Sequence, residues 1–174
     1  DSRIATLYEG TTGIQALDLI GRKVLADKFK QLNMFTGDMF RFARRFLPWK
    51  DEGKNKVMRK QAWTVVKLAI KWRLLSFRVA MRAKRNADNA GAASVDFLMF
   101  SGYAFMAFMW AQMSAVATNK LLAGEGDKEF LESKLHTAEF FFQRILPRAD
   151  AHAKTMGASV ESLMAMPTSY FDAT

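Results

Sequence analysis

"FLMFSGYAFMAFMWAQMSAVATN", residues 97–119, runs from Asp96 to Lys120 without a formal charge. These 23 residues are long enough to cross a bilayer, for which about 20 apolar residues suffice, or to fill the centre of a helical bundle. Ser101, Gln112 and Ser114 interrupt the apolar run. Its flanks lack a positive-inside asymmetry, and three neighbouring amphipathic stretches need an apolar surface to cover. The segment therefore reads as the central helix of a bundle, with no membrane partner expected. Its Met and Phe side chains suit deformable core packing better than a cofactor box.

The stretch on its N-terminal side, residues 54–85, holds eleven Lys or Arg and no Asp or Glu. Val57, Trp63, Val66, Ile70, Leu74, Phe77 and Met81 recur in it at helical spacing. That pattern predicts a long cationic helix with this stripe on the bundle side and basic residues on the other face. Such a face could follow a phosphate backbone or meet an acidic partner. Its plainer reading is a solvated edge covered by long side chains, which leaves nucleic acid a minority reading.

Before it, Ile14, Leu17 and Ile20 would share one face of a short helix that Gly21 ends or kinks. Residues 25–47 predict a second helix, bent near Gly37 and closed by Pro48, which cannot continue the hydrogen-bond ladder. "NADNAGAAS", residues 86–94, breaks the pattern, with Ser94 as N-cap of the central helix, which then runs to Leu122. "AGEGDK", residues 123–128, links to a helix over 127–154 that bends or restarts at Pro147. A last short helix near 160–164 stops before Pro167. Short links make antiparallel neighbours. The fold class is all-α, an up-and-down bundle of about four long helices preceded by a loop and a short helix.

At 174 residues the chain supports one sizeable core, or one core and part of a neighbour. The absence of cysteine excludes a disulfide framework and a thiolate metal site, and suits a reducing, cytoplasmic setting. His136 and His152 lack metal-site spacing, so no metal is expected. The first residue is Asp1 and no signal-peptide pattern comes after it, so the chain reads as a piece of something longer. A formal charge of +9 favours phosphates, acidic proteins or anionic lipid without choosing among them.

One carboxylate stands out. In "LYEGTTGIQALDLIGRKV", residues 7–24, Glu9 precedes a glycine-punctuated turn and a helical run. By itself it is a helix-start charge, a surface residue or a base in a shaped pocket. "DSRIATLYEGTTGIQ", residues 1–15, resembles the catalytic segment of the acyl-CoA dehydrogenases, in which Tyr-Glu-Gly-Thr precedes a helix containing Ile-Gln. "FFFQRILPRADAHAKTMGASVESLMAMPTSYF", residues 140–171, is similar to the end of the longer family members that carry an extra C-terminal helical domain.

The resemblance implies that residues 1–23 end the catalytic α-domain and that 24–174 form the helical extension. It implies FAD-dependent conversion of an acyl-CoA thioester to the 2-enoyl-CoA, with Glu9 as the base for the α-proton and its backbone N–H polarising the thioester carbonyl. Tyr8 would line the acyl pocket, and Gly10 would let substrate and flavin approach the backbone. Thr11, Thr12 and Gly13 would lie along the FAD, although many relatives carry a longer polar residue at the Gly13 position. Arg3 would fix the loop. Family members hold FAD mostly through regions before this segment, so the chain alone is expected to bind no FAD and to be inactive. An electron-transfer flavoprotein as electron acceptor and a homo-oligomeric state are also implied by the resemblance. These residues leave acyl-chain preference, oligomeric state and the role of the extension open. A helical oligomerisation or interaction module and a nucleic-acid-binding basic domain stand as the other readings.

Overall fold

The computed structural model describes residues 11–50, 53 and 55–171. In chain order its helices begin with α1, Thr11–Leu17, which continues in π-type turns over Asp18–Ala26. Next come α2, Lys30–Ala43, tightening into a 3-10 turn at Arg44–Phe46, and α3, Lys56–Arg85. The central helix α4 is Asp88–Ala123, and α5, Lys128–Phe140, runs on in π-type turns over Phe141–Ile145. Helix α6, Arg148–Thr155, and the short α7, Glu161–Met164, complete the order before a 3-10 turn at Thr168–Tyr170. No strand occurs among the described residues, and the fold is an all-α bundle.

The uncharged segment lies where its composition demands. Helices α1, α3, α5 and α6 all pack on α4, and α2 reaches it through Phe35, whose ring lies 5.6 Å from Phe105 and 5.5 Å from Phe108. By length and composition α4 passes the test for a membrane span, yet four neighbours share its circumference. Phe97 and Phe100 are fully buried, and Ala104, Ala107, Ala111 and Ala115 line the same side at three- and four-residue steps. Small residues there allow close approach of the neighbouring axes. The core hydroxyls of Ser76 and Ser101 donate to the carbonyls of Trp72 and Phe97, at 2.7 and 2.6 Å, which satisfies them inside their own helices.

Caps and breakers set the ends. The Asn55 side chain accepts from the N–H groups of Val57 and Met58, at 3.0 and 3.1 Å, and starts α3. Asp127 does the same for α5 through the Phe130 N–H. Such caps contribute about 1 kcal/mol each. Gly124, at φ +70°, ends α4 in the left-handed conformation that glycine adopts without a Cβ clash. Pro48 lies just past the end of the second helix, and the last long helix restarts at Pro147. Between α1 and α2 the chain turns on two non-glycine residues, Lys28 and Phe29, at φ +51° and +64°. The Phe29 ring packs on the core, which offsets a left-handed cost of about 1–2 kcal/mol per residue.

The structure departs from the sequence pattern at four places. In α1 the buried face is Ala16, Ile20 and Val24, whereas Ile14 and Leu17 are 70% and 51% exposed; Gly21 neither ends nor breaks the run. Helix α2 begins at Lys30 rather than residue 25 and passes Gly37 as regular α-helix. Ser94 is internal to α4, its hydroxyl donating to the Gly91 carbonyl at 2.8 Å, while Asn86 accepts from the Asp88 N–H at the true start. The largest departure is α3. Its core side is Met58, Ala62, Val65, Leu68, Ala69, Trp72, Leu75 and Val79, and the predicted core stripe faces outward, with only Val66 partly covered. A helix closing on α4 turns its small residues inward, and Ala62, Ala69 and Ser76 provide that surface.

Candidate functional site

Tyr8, Glu9 and Gly10 lie outside the described residues. Thr11, Thr12 and Gly13 form the first turn of α1, and all three are exposed. The rest of the helix anchors that turn: Ala16 is fully buried, Ile20 and Val24 nearly so, and through them α1 lies against α4. A four-residue spacing on one face fixes the direction in which the helix leaves the preceding segment. A Cβ built on Gly13 would meet nothing within 4 Å. Two exposed hydroxyls, first-turn N–H groups and an open glycine side make a donor set that fits the polar edge of a dinucleotide cofactor.

On the outer side of α1, Arg22 grips Asp18, with Nε to Oδ1 at 2.5 Å and Nη2 donating to Oδ2 at 3.0 Å. This hydrogen-bonded guanidinium holds the Asp18 carboxyl below its ordinary range, and the carboxylate in turn raises the Arg22 pKa. Across the bundle, His152 Nδ1 stands 2.8 Å from Asp96 Oδ1, and the His152 ring stacks on Tyr103 at 5.7 Å. The pair ties α6 to the last charged residue before the uncharged run of α4. No three His, Cys, Asp or Glu side chains converge on a metal-sized site among the described residues.

Two recesses flank α3. One, of about 780 Å³, opens between the start of α3, the end of α4 and α5. Met58 and Phe142 line it, with Gln61, whose buried Oε1 has no hydrogen-bond partner among the described residues. The other, of about 420 Å³, lies between the end of α3 and α6, where Arg78, Arg82 and Arg85 surround Leu75 and Met156. The sequence pattern missed both because it turned α3 the wrong way. The seven-residue interval between Arg78 and Arg85, two helical turns, was the available signal.

A family model described as "Acetyl-CoA dehydrogenase C-terminal like" matches residues 35–167, from within α2 to beyond α7. "3-methylmercaptopropionyl-CoA dehydrogenase" of Ruegeria pomeroyi is 34% identical over 174 residues, taking in 94% of this chain and 27% of that protein. "Broad-specificity linear acyl-CoA dehydrogenase FadE5" of Mycobacterium tuberculosis is 31% identical over 149 residues, taking in 84% of this chain and 24% of that protein. The chain spans about a quarter of the length of the curated relatives it matches.

Proposed function

This chain belongs to the acyl-CoA dehydrogenase family, in the group described as acetyl-CoA dehydrogenase C-terminal like, and on that premise we propose that it supplies the catalytic base of an FAD-dependent acyl-CoA dehydrogenase together with a C-terminal helical extension. The division falls near residue 23. The observation that carries the reading is the direct passage from Tyr8-Glu9-Gly10-Thr11 into α1, whose Ala16, Ile20 and Val24 bury in the family-matched bundle.

The reaction removes one hydrogen from each of two adjacent carbons. The α-proton beside a thioester is weakly acidic, so its removal needs a polarised carbonyl and a base whose proton affinity is raised by a water-poor site. The Glu9 carboxylate takes that proton. The electron pair left behind forms the new α,β double bond as the β-hydrogen departs with its own pair as hydride. FAD, when bound, supplies the acceptor for that hydride. Thr11, Thr12 and Gly13 would hold its polar edge. The Glu9 main-chain N–H donates to the thioester carbonyl, where negative charge grows in the transition state. Tyr8 and Gly10 shape the acyl site.

The substrate class is a short to medium acyl-CoA, in line with the acyl groups in the relatives' names. Reduced cofactor would pass its electrons to an electron-transfer flavoprotein, and a cytoplasmic homo-oligomer is the setting the family suggests. The deciding experiment measures acyl-CoA turnover with an artificial electron acceptor in the full-length protein carrying Glu9→Gln. Unchanged flavin content with turnover reduced by about 10²–10⁴ or more supports the base; turnover that survives places the base elsewhere.

A further inference from the structure

Trp63, Ile70, Leu74, Phe77 and Met81 are each between 43% and 57% exposed and succeed one another along the outside of α3. They make a stripe about 27 Å long at 1.5 Å per residue. Single exposed apolar residues are ordinary on a protein surface, but a continuous stripe of large ones marks a surface that something covers.

Beside the stripe runs a rail of cations on one side only, Lys60, Lys67, Lys71, Arg78, Arg82 and Arg85, at intervals that keep them on one edge of the helix. Two are engaged. Lys71 meets Asp150 at 2.6 Å, and Arg82 donates to the carbonyls of Gly157 and Ala158 at 2.8 and 3.2 Å. Lys60, Lys67, Arg78 and Arg85 have no charged or hydrogen-bonding partner among the described residues. The opposite edge is closed by α2, where Arg73 is bonded to Thr36 and Asn33. At the far end, Arg78 and Arg85 flank the 420 Å³ recess with its apolar floor.

We propose that the outer face of α3 docks an acidic amphipathic helix of a protein partner, its apolar side chains on the stripe and a carboxylate seated between Arg78 and Arg85. Charge selects this occupant. Helix α3 carries ten Lys or Arg and no acid, so a second copy laid on it would oppose cations with cations. Nucleic acid would satisfy the rail yet leave Ile70, Leu74 and Met81 with nothing apolar to bury against. A helix lying in an anionic membrane surface carries cations along both borders of its apolar face, and here one border belongs to α2. A helix with glutamates along one edge matches stripe, rail and recess together.

The probe is a fluorescent 18-residue peptide, helical, with leucines on one face and glutamates along one edge, titrated into this chain and followed by anisotropy. Its partner peptide is identical except for lysines in place of the glutamates. The glutamate peptide should bind at least about ten-fold more tightly. Arg78→Glu with Arg85→Glu, and separately Leu74→Ser with Phe77→Ser, should each weaken it about ten-fold, while Lys23→Glu on α1 leaves it unchanged; circular dichroism checks that each variant stays folded. Equal affinity for the two peptides, or binding indifferent to both pairs of changes, overturns the proposal. So does a surface that prefers phosphatidylglycerol vesicles or duplex DNA to the glutamate peptide, or a dimer in sedimentation that Phe77→Ser dissociates.

Discussion

Arg73 Nε donates to the Thr36 hydroxyl at 2.6 Å, and that hydroxyl donates in turn to the Leu32 carbonyl at 2.7 Å. Thr36 is fully buried, and Arg73 completes its hold on α2 by donating from Nη2 to the Asn33 carbonyl at 2.9 Å and lying over the Phe40 ring at 5.1 Å. A single planar cation thus fastens two helices at three points. Thr36→Val keeps the volume and removes the relay, and should cost about 1–3 kcal/mol, read as a lower urea midpoint with an unchanged slope. Arg73→Lys should lose part of the same amount, because an ammonium cannot reach both acceptors while stacking on Phe40. A midpoint indifferent to both changes would mean that the bond adds nothing.

The closest packing lies along α4. Phe97→Ala removes a fully buried ring and should cost about 3–5 kcal/mol. Ala107→Leu adds volume where none is free and should cost about 1–3 kcal/mol. Phe77→Ser, on the outward stripe of α3, should stay within about 0.5 kcal/mol. Denaturation of the three variants side by side checks the orientation of both helices, since an α3 turned the other way would reverse the order of Phe77 and Ala107.

The Asp18–Arg22 pair has a pH signature. Its carboxyl is lowered in the folded chain, so its contribution is present above the ordinary carboxylate value, about 3.9, and is lost as pH falls through the lower folded value. Carboxyl NMR should show Asp18 titrating below the other aspartates, and Arg22→Gln should return it to the ordinary range. An Asp18 that titrates with the rest removes the pair from the solution structure.

Asp96 meets His152 at the edge of the uncharged run. His152→Leu leaves that carboxylate, 22% exposed, without its partner and should destabilise by about 1–3 kcal/mol. Asp96→Asn with His152→Gln, which restores a neutral hydrogen-bonding pair, should recover part of it. If the double change is as costly as the single one, Tyr103 stacking rather than the hydrogen bond holds α6.

Breakers were the most readable part of the sequence. Pro48, Pro147, Gly124, Asn55 and Asp127 act through local chemistry, and each end they predict lies within a few residues of the structure. Which side of a helix faces inward was harder. Bulk pointed to Ile14, Leu17, Trp63 and Phe77, whereas burial went to Ala16, Ala62 and Ala69, because the neighbour's approach rewards small side chains as much as greasy ones. Ser94 looked like a cap because serine often is one, yet its hydroxyl is equally content bonded to the carbonyl three residues back. Of the candidate site, Thr11, Thr12 and Gly13 fall together in one turn as their adjacency requires; Glu9 itself was legible only through its motif.

The corner between α1 and α2 contains no glycine. It is built from Lys28 and Phe29 in the left-handed region and locked by the Asp27 carboxylate on the Gln31 N–H at 2.8 Å. A joint of that kind has no swivel. Any tilt of α4 therefore travels up α1 as through a lever and arrives at Thr11 as a shift in the segment that carries Glu9, so the bundle sets the aim of that carboxylate from a distance.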